Sequence, residues 1–291
     1  MSHLQRFIVL FLIYSLVSSC NKDKCETAES PILYSFFIAG HTYGAPGVDN
    51  VGVHPPFKNK FNLIKNDEHI DFGVFTGDIV LTGTEQNWDE IDTDIDSIGL
   101  PIYFAAGNHD MTDRELFESR YGQTYYSFIH HSDLFIVLDP NIDSWNISGD
   151  QLQFLEGVLN NEAQNVNNVY VFFHQLLWWE PDNMYQNVIL NSLAGRADTI
   201  NFWSEVIPLF NHLSSQIFMF AGDIGAFNTG NEFMFHRNDN LILIGSGMGG
   251  GARDNIVIVD VHEDQSVSFR LIALNGSDIN ALGKLEDYIL P

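Results

Sequence analysis

Pro101-Ile102-Tyr103-Phe104-Ala105-Ala106-Gly107-Asn108-His109-Asp110 runs from an apolar stretch through one glycine into three polar residues able to bind metal or carry protons. A short unbroken apolar run of this kind reads as a strand covered on both faces. The glycine lets the chain turn sharply and its backbone approach a neighbour closely. The same order recurs in Phe72-Gly73-Val74-Phe75-Thr76-Gly77-Asp78 and in Ile217-Phe218-Met219-Phe220-Ala221-Gly222-Asp223, and without the glycine in Val169-Tyr170-Val171-Phe172-Phe173-His174. In open α/β sheets ligand sites lie beyond the carboxyl ends of the strands. Asp78, Asn108, His174 and Asp223 are therefore expected to meet, and as a mixed oxygen and nitrogen set they suit a divalent ion such as Mn, Mg, Fe, Zn or Ca.

Working outward, further strands are expected at 33–39, 134–139, 241–245 and 256–261, with weaker ones at 125–130, 232–236 and 266–273. Helices are expected between them at 84–98, 112–121, 148–159 and 200–213, with Thr84, Thr112 and Ser148 as N-caps. The later half is richer in strands and is expected to form a second sheet packed on the first. The fold class is therefore α/β.

The strand-end motifs resemble those of the calcineurin-like metallophosphoesterases. Gly77-Asp78 is similar to the family's Gly-Asp motif, Gly107-Asn108-His109-Asp110 to its Gly-Asn-His-Asp/Glu motif, and Phe172-Phe173-His174 to its strand-end histidine, in the family's order, over roughly residues 32–262. The resemblance implies two packed mixed β-sheets flanked by helices, a four-layer αββα sandwich. It also implies metal ligation by Asp78, Asn108, His174 and Asp223, with Asp78 bridging where two metals are bound. His109 would then protonate the leaving alkoxide, with Asp110 orienting its imidazole.

The departures cluster. Where the family opens with Asp-X-His, this chain reads Gly40-His41-Thr42. Where the family closes with Gly-His-X-His, it reads Gly222-Asp223-Ile224-Gly225. The family's ligands at the Gly40, Thr42 and Gly225 places all serve one metal, so the resemblance implies a reduced site holding one ion per chain. Replacing a histidine by Asp223 hardens the ligand set. His41 and His54 are candidates to replace a ligand or touch substrate. Arg196 and Arg253 are candidates to balance substrate charge. Trp178-Trp179 reads either as a substrate-facing wall or as a buried plug. Gly245–Gly251 reads as an irregular turn passing near the metal loops, or as a phosphate cradle. His130-His131 reads as a solvated turn.

Asp plus Glu number 38 against 13 Lys plus Arg, a formal net charge of −25, which argues against nucleic acid or anionic lipid as a partner. The expected substrate is instead a small-molecule or glycan-linked phosphate ester. At the N-terminus an apolar run from Phe7 to Val17 is too short to span a bilayer, which takes about 20 residues, and suits a signal peptide. Val17-Ser18-Ser19-Cys20 resembles a bacterial lipobox. The expected organisation is a signal peptide at 1–19, a lipidated Cys20 with a polar tether to residue 31, and the phosphoesterase domain at 32–291. The protein would be exported and held at the cell envelope only by its lipid. Three functions stand open: a phosphate mono- or diesterase, an inactive relative binding a ligand in the same cleft, and a hydrolase of another bond.

Overall fold

The computed structural model describes residues 30–48, 50–227 and 230–291. The signal peptide, Cys20, Cys25 and nearly all of the tether lie outside the described residues. Eleven strands are found among them, at the expected places within one or two residues.

The first sheet contains β1 (Ile32–Ala39), β2 (Ile70–Thr76) and β3 (Ile102–Ala105), mutually parallel. The second contains the hairpin of β4 (Tyr126–His130) and β5 (Asp133–Val137), then β6 (Asn168–Phe172), β7 (Gln216–Ala221), β8 (Phe233–Asn238) and β9 (Leu241–Ser246). The chain then returns, and β10 (Asn255–His262) and β11 (Val267–Ala273) add antiparallel to the β1 edge. The orders are β11-β10-β1-β2-β3 and β4-β5-β6-β7-β9-β8. The second sheet thus begins before the middle of the chain, and the last two strands belong to the first sheet. The pairing of β10 with β1, and of β11 with β10, decides this.

Alternation along each strand builds three apolar layers. Tyr34, Phe36 and Ile38 of β1 face Tyr170 and Phe172 of β6 across the inter-sheet core. Phe37 and Ala39 face outward, under α1 (Pro55–Lys58), α2 (Phe61–Lys65) and α3 (Glu85–Ile98). Val169, Val171 and Phe173 lie under α5 (Gly149–Asn161), with α4 (Arg114–Tyr121) on the first sheet's side. Phenylalanines stack in the middle layer, as Phe36 on Phe72 at 5.2 Å and Phe172 on Phe220 at 5.2 Å, contacts that add to burial.

Helix ends correct the sequence reading in places. Thr84 caps α3 through its side chain as expected. Asp113, not Thr112, caps α4, because residues 110–113 form a 3-10 turn that moves the start onward. Ser148 precedes α5 but gives its hydroxyl to Asp143 instead of the helix. The helix expected at 200–213 shrinks to a π turn at Phe202–Val206 followed by α6 (Ile207–Phe210). Pro208 supplies no amide and crowds the preceding turn, which loosens the ladder there.

Candidate metal centre

The parallel strands of both sheets end at one edge, and the loops leaving them are laced together. His41 N donates to Gly77 O, Tyr43 N to Asp78 O, and Gly222 N to His174 O. Gly77 and Asp78 both turn left-handed, at φ +83° and +49°. A Cβ on Gly77 would stand 2.4 Å from Nδ1 of His174, so only glycine admits the imidazole there.

This brings Asp78, His174 and Asp223 together, each almost fully buried. One ligand atom from each lies within 4.8 Å of the others. His174 Nε2 is 3.3 Å from Asp78 Oδ1 and 3.8 Å from Asp223 Oδ1. The ring is aimed by its other nitrogen, which donates to Thr76 O at 2.9 Å and leaves Nε2 facing the carboxylates. Among the described residues, His174 Nε2 and both Asp223 oxygens have no hydrogen-bond partner. Buried donors and acceptors left this way are costly unless something else satisfies them. A divalent ion does so, and the three residues fit one.

Electrostatics agree. Burial opposes the His174 imidazolium, but the pull of Asp78 and Asp223 outweighs it and pushes the ring up to about 10. Burial pushes Asp223 up to about 7, against the attraction of His174. Asp78 is held below the usual carboxylate range: burial raises it, and His174 and His41 more than compensate. Without metal, a proton on His174 stands in for the cation.

Asn108 and His109 form the partly exposed rim. His109 N donates to Asp78 Oδ1 at 3.1 Å, which fixes the Gly107–His109 turn against the centre. Asn108 lines a cleft of about 270 Å³ with Asn141, Trp145 and Gly195. His109 Nδ1 donates to Leu81 O at 2.8 Å. The expected partner, Asp110, is elsewhere: its carboxylate accepts the amides of Ile79, Val80 and Gly107. Asp110 thus braces the Asp78 loop, and the Leu81 carbonyl orients the His109 ring. No sequence signal marks a main-chain acceptor of this kind.

Gly40 does not stand open for a ligand: a Cβ there would be 2.1 Å from Ser246 O and 2.7 Å from Gly222 Cα. The side chains turned to the centre are the next ones along. His41 Nε2 is 3.6 Å from Asp78 Oδ2, while its Nδ1 donates to Met248 O at 2.9 Å. Burial pushes His41 down to about 4 despite Asp78. The neutral ring therefore aims an Nε2 lone pair at the centre, as a ligand does. Tyr43, unassigned from sequence, packs between His41 at 4.3 Å and His109 at 5.1 Å.

Other candidates have their own partners. His54 Nε2 pairs with Asp254 at 3.2 Å. Arg196 pairs with Glu180 and lies over Trp179, and Arg253 bonds Gly230 O and lies over Phe233. Trp178 is core, its indole facing Met234 Sδ, and is not a substrate wall. The amides of Gly249, Gly250 and Gly251 are filled by the Asp254 carboxylate, which excludes the phosphate cradle in this arrangement. Met248 O holds His41, so the turn does pass beside the metal loops.

The profile of the calcineurin-like phosphoesterases matches residues 41–216, and the chain belongs to that family. Among solved structures it is similar to the purple acid phosphatase PPD1 from yellow lupin (Lupinus luteus) seeds, with a TM-score of 0.62 and 14% identity, over 86% of this chain and 53% of that one. The chain thus spans about half the length of the lupin protein, and the likeness speaks to fold alone. A predicted phosphoesterase from Streptococcus pneumoniae TIGR4 aligns over 83% of this chain and 90% of its own at 8% identity, with a TM-score of 0.37. No curated protein sequence matches.

Proposed function

We propose that the protein is an exported, metal-dependent phosphoesterase that hydrolyses a phosphate mono- or diester with one ion at a reduced site. The observation that carries this is the buried trio of Asp78, His174 and Asp223, whose ligand atoms converge beside a fixed His109, with His174 Nε2 and both Asp223 oxygens left without a hydrogen bond among the described residues. A bound divalent ion would polarise a phosphoryl oxygen and balance charge developing in the transition state. The chain's own residues do the rest. Thr76 O holds His174 in the ligating tautomer, and the Asp110 brace holds the Asp78 loop. With Nδ1–H tied to Leu81 O, a protonated His109 has Nε2–H left for the leaving oxygen. Such general acid help is typically worth about 10²–10⁴-fold. The cleft beside Asn108 is room for the ester's organic part.

Support for one ion is local. Backbone fills the space at Gly40, and His41 faces the second oxygen of Asp78. Support for export and lipid attachment rests on the apolar run and the lipobox-like residues before Cys20.

A second reading is a ligand-binding relative without turnover. It is favoured by how completely His41 and Tyr43 are buried over the centre. The test is turnover of aryl phosphate mono- and diesters by purified protein stripped of metal and reloaded with Mn, Mg, Zn or Ca. Turnover lost in both His109→Ala and Asp78→Ala supports the enzyme. Metal binding without turnover supports the binder, and turnover unchanged in both variants ends the proposal.

A further inference from the structure

We propose that Asp71, His130 and His131 form a second cation site, for an imidazole-preferring transition ion such as Zn, Ni or Cu, at the far end of the sandwich. Asp71 is the second residue of β2 and Asp78 follows its end, so roughly 20 Å of strand separates the two sites. The ligands come from both sheets, Asp71 from the first and the histidines from the β4–β5 hairpin.

The three groups already converge. His130 Nε2 is 2.8 Å and His131 Nε2 3.8 Å from the same Asp71 oxygen, Oδ2. One ligand atom from each lies within 4.8 Å of the others. In a tetrahedral zinc site, ligands at about 2.0–2.1 Å from the ion stand roughly 3.3 Å apart. The two spacings to Asp71 straddle that value and the third lies within 4.8 Å, so shifts of about an ångström or less admit the ion.

The rings are held by their neighbours. His131 lies flat on Tyr34, with centroids 5.1 Å apart and planes at 16°. His130 stands edge-on to Tyr34 at 4.8 Å and to Phe72 at 5.2 Å. Tyr34 is itself anchored through its hydroxyl to Asp133 at 2.5 Å.

The turn that presents them is a poor one by sequence. His130 pairs with Asp133, so His131 and Ser132 are the two turn residues, at φ +46° and +68°. Such a turn favours Asn-Gly. An ion pair between His130 and Asp71 alone gives no reason to place a histidine at the strained first position. A chelate does. All three side chains are partly exposed, at 29%, 46% and 40%, so a hydrated ion reaches them without unfolding and keeps water in its open positions. Two imidazoles with one carboxylate select Zn, Ni or Cu over Mg or Ca. The candidate metal centre, with two carboxylates and one imidazole, has the harder set.

The test is calorimetric titration of metal-stripped protein with Zn and with Ni. It is made in wild type, in His131→Asn, in Asp71→Asn, and in Asp78→Asn, which disables the other centre. Asn tolerates left-handed backbone, so His131→Asn should fold at least as stably as wild type while losing a ligand. Expected, besides the equivalent taken up at the Asp78 centre, is a further equivalent with a Kd of micromolar or tighter that persists in Asp78→Asn and weakens at least tenfold in His131→Asn and in Asp71→Asn. Binding that is unchanged in both of those variants, or weaker than millimolar in wild type, overturns the proposal. Melting curves of each variant separate ligand loss from misfolding.

Discussion

Gly77→Ala is the substitution on which the geometry of the centre bears hardest. Gly77 is left-handed at φ +83°, and an added Cβ would sit 2.4 Å from Nδ1, 2.5 Å from Cγ and 2.6 Å from Cβ of His174. A left-handed alanine costs about 1–2 kcal/mol. Forcing a methyl into a packed site costs about 1–3 kcal/mol more. The sum is roughly 2–5 kcal/mol, or a fall in Tm on the order of 10 °C for a domain of this size. The displaced ring also loses its bond to Thr76 O, and loss of such an orienting partner weakens metal binding roughly 10–100-fold. Gly99→Ala is the control: φ is +73°, but nothing lies closer than 3.8 Å to the added atom, so only the backbone penalty applies. Thermal melts and manganese titrations of both variants check this. If Gly77→Ala binds metal as tightly as Gly99→Ala does, the Gly77 loop does not set the His174 ligand and the reasoning is wrong.

Metal affinity should rise with pH by up to tenfold per unit between about pH 8 and 9, because His174, at about 10 without metal, must give up its proton to ligate, and more steeply below about pH 7, where Asp223 must lose one too; a flat profile, or no proton release in unbuffered titration, contradicts this. His109→Ala should cut kcat by about 10²–10⁴ while metal content stays the same, measured on an aryl phosphate. Asp110→Asn should instead lower stability, by about 1–3 kcal/mol in denaturant unfolding, because an amide cannot accept all three backbone N–H groups. Thr84→Ala should cost about 1 kcal/mol at the start of α3, whereas Ser148→Ala should cost little, since the Ser148 hydroxyl caps no amide of α5.

Strands were legible because buried runs such as Val169–Phe173 have no other reading, and the residue after each run was legible as a candidate ligand for the same reason. Sheet membership of β10 and β11 was not, since pairing with β1 across more than two hundred residues leaves no local trace. Of the four expected ligands, three meet with named contacts, and Asn108 sits on the adjoining rim. Asp110 was read as the partner of the His109 ring, but its carboxylate accepts the amides of Ile79, Val80 and Gly107, whereas His41, a candidate replacement ligand, does face the centre. Spelling shows which residues flank a turn, but left-handed backbone at His41 and Asp78 decides which side chains face inward. The partners that fix the rings, the carbonyls of Thr76, Leu81 and Met248, belong to residues whose side chains give no hint of the role. Arg196 and Arg253 were chosen for their charge, and charge alone does not distinguish a substrate clamp from a cation packed on an aromatic ring.

The central claim is that Asp78, His174 and Asp223 hold one divalent ion. An anomalous difference map from crystals grown with manganese tests it directly. One peak is expected at this edge of the sheets, within about 2.0–2.3 Å of His174 Nε2 and of an oxygen from each carboxylate. No peak there, or two peaks sharing Asp78, would contradict the account.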